Sequence, residues 1–198
     1  MKKSVFVIVG ILAAIIIVIC FLTAKNQPEK VYLSASWIYG YADVEELAEH
    51  SDLIALVKVK KLSENIAGKI PASIFEVKVE DGILGCENED VISVYMTGGK
   101  SGNQIFEIKS DPLMKKGQEF LIFAQKNQDG TYTILGGPQG RFVYSKGMLN
   151  SLQNTDLPYA NASNNSDTVE SAKFDGLVNV HNETLEEVKE KIESVLEK

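Results

Sequence analysis

Cysteine is nearly missing from this 198-residue chain. Cys20 lies inside an apolar run and Cys86 stands alone in the body, so no disulfide can form within the body and a bridge-stapled secreted scaffold is excluded. Histidine is scarce as well: His50 and His181 are the two, and neither has a Cys, His or carboxylate at metal-ligand spacing. Arginine occurs once, as Arg141, and the formal charge is −7. Lys2 and Lys3 belong to the N-terminal leader, so the remainder carries 18 basic against 27 acidic side chains, or −9. Nucleic acid is thereby excluded as a partner, and anionic lipid or polymer as a main one, because such binding needs clustered Lys and Arg that release counterions. Hydrophobic residues at 44% and charged residues at 24% describe a folded chain, and about 170 residues beyond the leader suffice for one domain.

What is present begins with Met1-Lys2-Lys3 and an uncharged run from Ser4 to Ala24. Residues 5–24 as a helix span about 30 Å, the hydrocarbon thickness of a bilayer. The spacing predicts one transmembrane helix with its N-terminus cytoplasmic and its body extracellular, since the lysines stay inside. The alternative is a cleaved signal peptide and a secreted body, although Leu22-Thr23-Ala24 is a poor small-x-small site and the run exceeds a usual signal core. Lipidation of Cys20 would need a small residue before it, where Ile19 stands.

Residues 25–42 read as a polar, proline-punctuated tether, and 43–149 as the domain proper. Asp43 followed by Glu46 is an N-cap and capping-box pair that opens a short helix ending near His50. Strands are predicted at 53–60, 74–80, 91–96, 119–124 and 131–135, with Arg141-Phe142-Val143-Tyr144 as one more, and Asn127-Gln128-Asp129-Gly130 as a hairpin turn. Residues 98–102, holding Gly98, Gly99 and Gly102, read as a flexible loop. Residues 150–181 read as an Asn- and Ser-rich solvated excursion. Thr184-Leu185-Glu186-Glu187 is a capping box for a C-terminal amphipathic helix within 182–198, with Leu185, Val188, Ile192, Val195 and Leu196 on one stripe. Short strands without helical crossovers predict a mainly β fold, a small barrel or sandwich with a short N-terminal and a C-terminal helix.

The stretches 51–59, 75–79 with Leu84-Gly85, 91–97, and Lys116-Gly117-Gln118-Glu119-Phe120-Leu121-Ile122-Phe123 before Asp129-Gly130 resemble the netrin-like module of tissue inhibitors of metalloproteinases, an OB-type barrel with flanking helices. They are similar also to uncharacterised surface proteins of Gram-positive bacteria. The resemblance covers roughly half the chain, from about Ser51 to Leu135, and implies the fold. The N-terminal cysteine with which those inhibitors reach the protease zinc has no counterpart here, so no residue inherits a role.

The other chemistry is thin. Glu87, Glu89 and Asp90 beside Cys86 lack the ordered ligand series of a calcium loop and read as a solvated turn. Acidic neighbours leave Cys86 unreactive. Gly136-Gly137-Pro138-Gln139-Gly140 lacks the ending of a phosphate loop and reads as a turn. Tyr32, Trp37, Tyr39 and Tyr41 are aromatics that either pack onto the domain or stack on a ligand. The expectation is a non-enzymatic, membrane-anchored extracytoplasmic binding module without metal or cofactor. It contacts an extracellular protein or glycan through Trp37, Tyr39, Tyr41 or the Gly98–Gly102 stretch. An extracellular protease inhibitor is the alternative, and a hydrolase a more distant one.

Overall fold

The computed structural model describes residues 28–35, 37, 39–152 and 178–197. The expected transmembrane segment at 5–24 lies outside them, and no helix among the described residues is long and apolar enough to cross a membrane. The strands in chain order are β1 (Glu29–Leu33), β2 (Leu53–Ile66), β3 (Ala72–Leu84), β4 (Val91–Thr97), β5 (Gly99–Ser101), β6 (Gln104–Ile108), β7 (Glu119–Lys126), β8 (Tyr132–Ile134), β9 (Arg141–Ser145), β10 (Met148–Ser151) and β11 (His181–Thr184). The helices are α1 (Val44–Glu49) and α2 (Leu185–Leu196), and a 3-10 turn covers Gly137–Gly140.

Five strands close on themselves in the order β7-β2-β3-β4-β8, with β8 returning to β7. The pairings are antiparallel except β4 with β8, where Val94 faces Tyr132 and Tyr95 faces Thr133 in parallel. Closure demands that a strand bend, and β2 does so at four register shifts along its pairing with β3. The sheet extends past the barrel through β9, β10 and β11, while β1, β6 and β5 form a separate three-stranded sheet.

The continuous apolar run at the start of β2 follows from burial on both faces. Leu53, Ala55, Val57 and Val59 enter the barrel core, joined by Phe120, Ile122 and Ala124 of β7. Ile54, Leu121 and Phe123 point the other way, into a second core roofed by α1 and α2 through Leu47, Ala48, Val188 and Ile192. Phe123 and Phe142 meet there edge to face at 5.8 Å. A strand with one wet face would alternate from its first residue; β2 alternates only beyond Val57, where Lys58 and Lys60 emerge.

Both helix starts are capped as their residues predict. The Asp43 carboxylate accepts the Glu46 amide at 2.8 Å, and Glu46 reaches back one residue further than a standard box, to the Ala42 amide at 2.6 Å. Thr184 and Glu187 form the reciprocal box of α2. The hydrogen bonds from Thr184 hold the Glu187 carboxyl below its ordinary 4.5. A depressed carboxyl stabilises the fold above its unfolded pKa and loses that contribution as pH falls through the folded value. Thr184→Ala, which removes the N-cap oxygen, is therefore expected to lower the urea midpoint near neutral pH. In urea melts followed by circular dichroism, its deficit should shrink below pH 4.5.

Four stretches depart from expectation. Residues 29–33, placed in the tether, form β1 in parallel with β6 from Glu29↔Gln104 to Leu33↔Ile108. The stretch at 98–102 is β5 and its turn into β6. The solvated span 150–181 begins and ends inside the fold: Ser151 and Leu152 are buried, as are Val178 and Val180, and the Ser151 amide bonds the Val180 carbonyl at 2.7 Å. Residues 153–177 lie outside the described ones. His181–Thr184 adds a strand before the final helix, paired with β10. These strands are short and irregular, and their pairing partners are distant in the chain, so local periodicity carried little sign of them.

Candidate functional site

The aromatics singled out before α1 do not form one platform; Tyr32, 54% exposed, stands on β1. Tyr41 is buried in the second core, edge to face with His50 at 5.7 Å, and burial pushes its hydroxyl above the ordinary value, with Glu46 adding to the shift. Trp37 is half-buried and lies against Gly137, whose φ of +59° and missing side chain leave room for the indole. Tyr39 projects, 71% exposed. What holds Tyr39 in place is the Gln139 side chain on the 3-10 turn. Its Nε2 donates to the Tyr39 carbonyl at 3.3 Å, and its Oε1 accepts the Tyr41 amide at 2.9 Å. An exposed ring thus rides on a backbone that Gln139 bonds at residues 39 and 41. Gly137→Ala is expected to displace the indole, because a Cβ there would overlap it. Trp37 is the sole tryptophan, so a red-shifted emission with stronger iodide quenching is the readout.

The glycines separate likewise. Gly98 and Gly99 are buried, and Gly102 is exposed at the β5–β6 tip with φ +60°. The Gly98 amide donates to the Pro71 carbonyl at 2.8 Å, and its carbonyl accepts the Ser73 hydroxyl at 2.9 Å. A Cβ on Gly99 would stand 2.8 Å from the Ser73 oxygen. Their role is to let the chain turn from the barrel into the small sheet at close quarters, and Gly102 alone of the three faces solvent.

Sequence reasoning missed a buried charge cluster. Arg141, at the start of β9, is 1% exposed, and its guanidinium lies 5.0 Å from the Phe120 ring and beside the Met96 sulfur. Nη2 donates to Asp111 Oδ1 at 2.6 Å and to the Pro112 carbonyl at 2.8 Å. Glu107 of β6, 4% exposed, accepts from Lys30 of β1 at 2.8 Å and from the Leu113 amide at 3.0 Å. Burial pushes the Asp111 carboxyl up, against the pull of the Arg141 charge and hydrogen bond, and Glu107 adds to the rise. The cluster locks the segment after β6, with Leu113 and Met114 packed on the barrel core, across one end of the barrel. A lone arginine amid apolar strand residues was the available signal.

The remaining groups are engaged locally. His50 contacts the Glu46 carbonyl through Nδ1 at 2.8 Å, and His181 is exposed beside Asn182. The 87–90 turn is stitched to itself and to β3: Asp90 accepts the Glu87 amide at 3.0 Å, Asn88 the Gly82 amide at 2.7 Å, and Glu89 pairs with Lys78 at 2.8 Å. Burial pushes the Cys86 thiol up and the Asp90 charge adds to it, which disfavours the nucleophilic thiolate. A groove between α1 and α2 is lined by Glu45, Glu183, Glu187 and Glu190 with Lys191 and Ser194. Glu187 there is committed to the cap and Glu183 to an ion pair with Lys191. Among the described residues no three His, Cys, Asp or Glu side chains are grouped to hold a metal ion. No family model matches the chain, and no curated protein matches it.

Proposed function

We propose that this chain is a non-enzymatic, membrane-anchored extracytoplasmic binding module that presents a netrin-like, OB-type barrel to an extracellular protein or glycan. The OB-type reading is supported by the connectivity: the first barrel strand lies between the second and the fourth, and the third runs parallel to the fifth. Two helices packed over one face accord with the netrin-like form. The anchor is supported by the length of the apolar run at 5–24 and by the lysines before it.

The observation that carries the binding reading is Tyr39, a large aromatic left 71% exposed on a segment pinned by Gln139. An exposed ring on an ordered backbone loses little entropy when it contacts a partner, and amphipathic tyrosine suits both protein surfaces and sugar rings. The protease-inhibitor alternative has the resemblance alone behind it. The test is photo-crosslinking in intact cells with the full chain carrying a photoreactive residue at position 39 or, as control, at 186. A discrete adduct at 39 that is missing at 186 and is lost on external protease supports the reading. Equal labelling at both positions, or none, refutes it.

A further inference from the structure

We infer that the outer end of the β2–β3 hairpin rests on the surface of the membrane that anchors the chain, with Ile66 and Ile70 entering the interfacial region; this rests on the anchoring reading above. The first observation is exposure. Leu62 at 44%, Ile66 at 36% and Ile70 at 60% leave three large aliphatic side chains in solvent at one end of one hairpin, where every residue from 61 to 70 is exposed. Such a concentration at a protruding end marks a contact surface rather than scatter.

The second observation is reach. Residues 25–28 alone separate the end of the apolar run at Ala24 from Glu29, where β1 begins. Fully extended, that connection covers about 17 Å, of which the headgroup zone occupies about 5–8 Å. The start of β1 is therefore held close to the membrane surface. The Glu29 amide bonds the Asn103 carbonyl at 3.0 Å, at the tip of the β5–β6 turn. In the sheet order β1-β6-β5, Lys100 lies two strands from β1, about 10 Å away. The Lys100 amide in turn donates to Asn65 Oδ1 at 3.1 Å, next to Ile66. The hairpin end and the point where the tether arrives are thus neighbours.

Charge orients the body the same way. Across positions 60–76 and Lys100, four lysines (Lys60, Lys61, Lys69, Lys100) stand against Glu64 and Glu76, a balance of +2 on a chain of −7. An anionic surface repels the acidic remainder and tolerates this end. Apolar insertion supplies the contact, and the tether supplies the local concentration that so few lysines could not.

The test uses the full chain with Cys20→Ala and Cys86→Ala, labelled with an environment-sensitive fluorophore at Ala67→Cys or at Glu186→Cys. It is reconstituted in vesicles of equal parts phosphatidylcholine and phosphatidylglycerol carrying a spin-labelled lipid. Position 186 is a fair control: Lys189 of the same helix bonds Asp81 at 2.5 Å, nine residues along β3 from Ala72, or about 30 Å of strand from the hairpin end. Lipid quenching at 67 is expected to exceed that at 186 about threefold, and Ile66→Ser with Ile70→Ser should bring it down to the control. A chain that floats with the vesicles but is quenched equally at both positions overturns the inference and leaves the anchor standing. A probe at 67 shielded from aqueous iodide without lipid quenching means that a protein covers this end, and overturns it too. A chain that does not float overturns the anchor, and the inference with it.

Discussion

Arg141→Ala should destabilise the domain by about 3–5 kcal/mol at pH 7, as expected when one partner of a buried ion pair is removed and the other stays. Asp111 is left facing the barrel end without the guanidinium that now bonds it at 2.6 Å, and Pro112 loses its donor. The pH dependence distinguishes this mechanism from simple loss of packing. Burial already holds the Asp111 carboxyl above its ordinary 3.8, and the charge of Arg141 opposes that rise, so the variant's carboxyl moves higher still. A carboxyl raised in the folded state contributes stability that is present below its unfolded pKa and is lost as pH rises through the folded value. The gap between the native chain and Arg141→Ala should therefore be narrowest in acid and widen as pH rises through the native chain's Asp111 value, above 3.8, toward the higher value in the variant. Urea midpoints of the full chain in mild detergent, taken across that range, measure it. Arg141→Met with Asp111→Asn, which removes both charges, is expected to lie within about 2 kcal/mol of the native chain. A single variant that costs under about 1 kcal/mol would mean that the pair is solvated and the lock on the barrel end is weak.

Gly85→Ala is the second large effect. Gly85 follows β3 with φ +70°, a conformation that costs a residue with a Cβ about 1–2 kcal/mol. A Cβ there would also overlap the Asp52 carbonyl oxygen. Asp52 has no freedom to withdraw: its amide bonds Ala124 at 2.9 Å and its carboxylate accepts the Lys126 amide at 2.9 Å, which together fix the entry of β2 beside β7. The expected loss exceeds about 3 kcal/mol, strain and overlap combined. Gly102→Ala separates the two terms, because φ there is +60° and nothing lies within 4 Å of the added atom. It should cost about 1–2 kcal/mol, the strain alone. Equal losses at the two positions would sink the claim that Asp52 is immovable.

The aromatic segment shows where legibility stops. Trp37, Tyr39 and Tyr41 alternate in sequence, and only the tertiary structure sorts them into an indole on Gly137, an exposed ring and a core residue. The sorting agent is Gln139, 98 residues from Tyr41. Nothing local at Gln139 announces that its side-chain amide spans two backbone groups. The same holds for Gly98 and Gly99, whose pattern reads as a loop and whose place is set by Ser73 and Pro71 on β3 and its approach.

By itself the sequence determined what depends on neighbours in the chain. The capping residues start both helices where they stand, because their bonds close within three or four positions. Apolar runs set the barrel strands β2, β3, β4 and β7, because burial follows the two-residue period of a strand or, where both faces are buried, its absence. The acid excess and the single Cys of the body set its net charge and rule out an internal disulfide there. The β7–β8 hairpin was legible in its turn residues, whereas the tertiary structure alone decided the closure of β8 onto β4, the parallel pairing of β1 with β6, and the partners of Arg141. Each joins residues far apart in the chain, such as Lys30 and Glu107 at a separation of 77. Such pairings are settled by which surfaces meet once the cores form, and local periodicity holds no record of that.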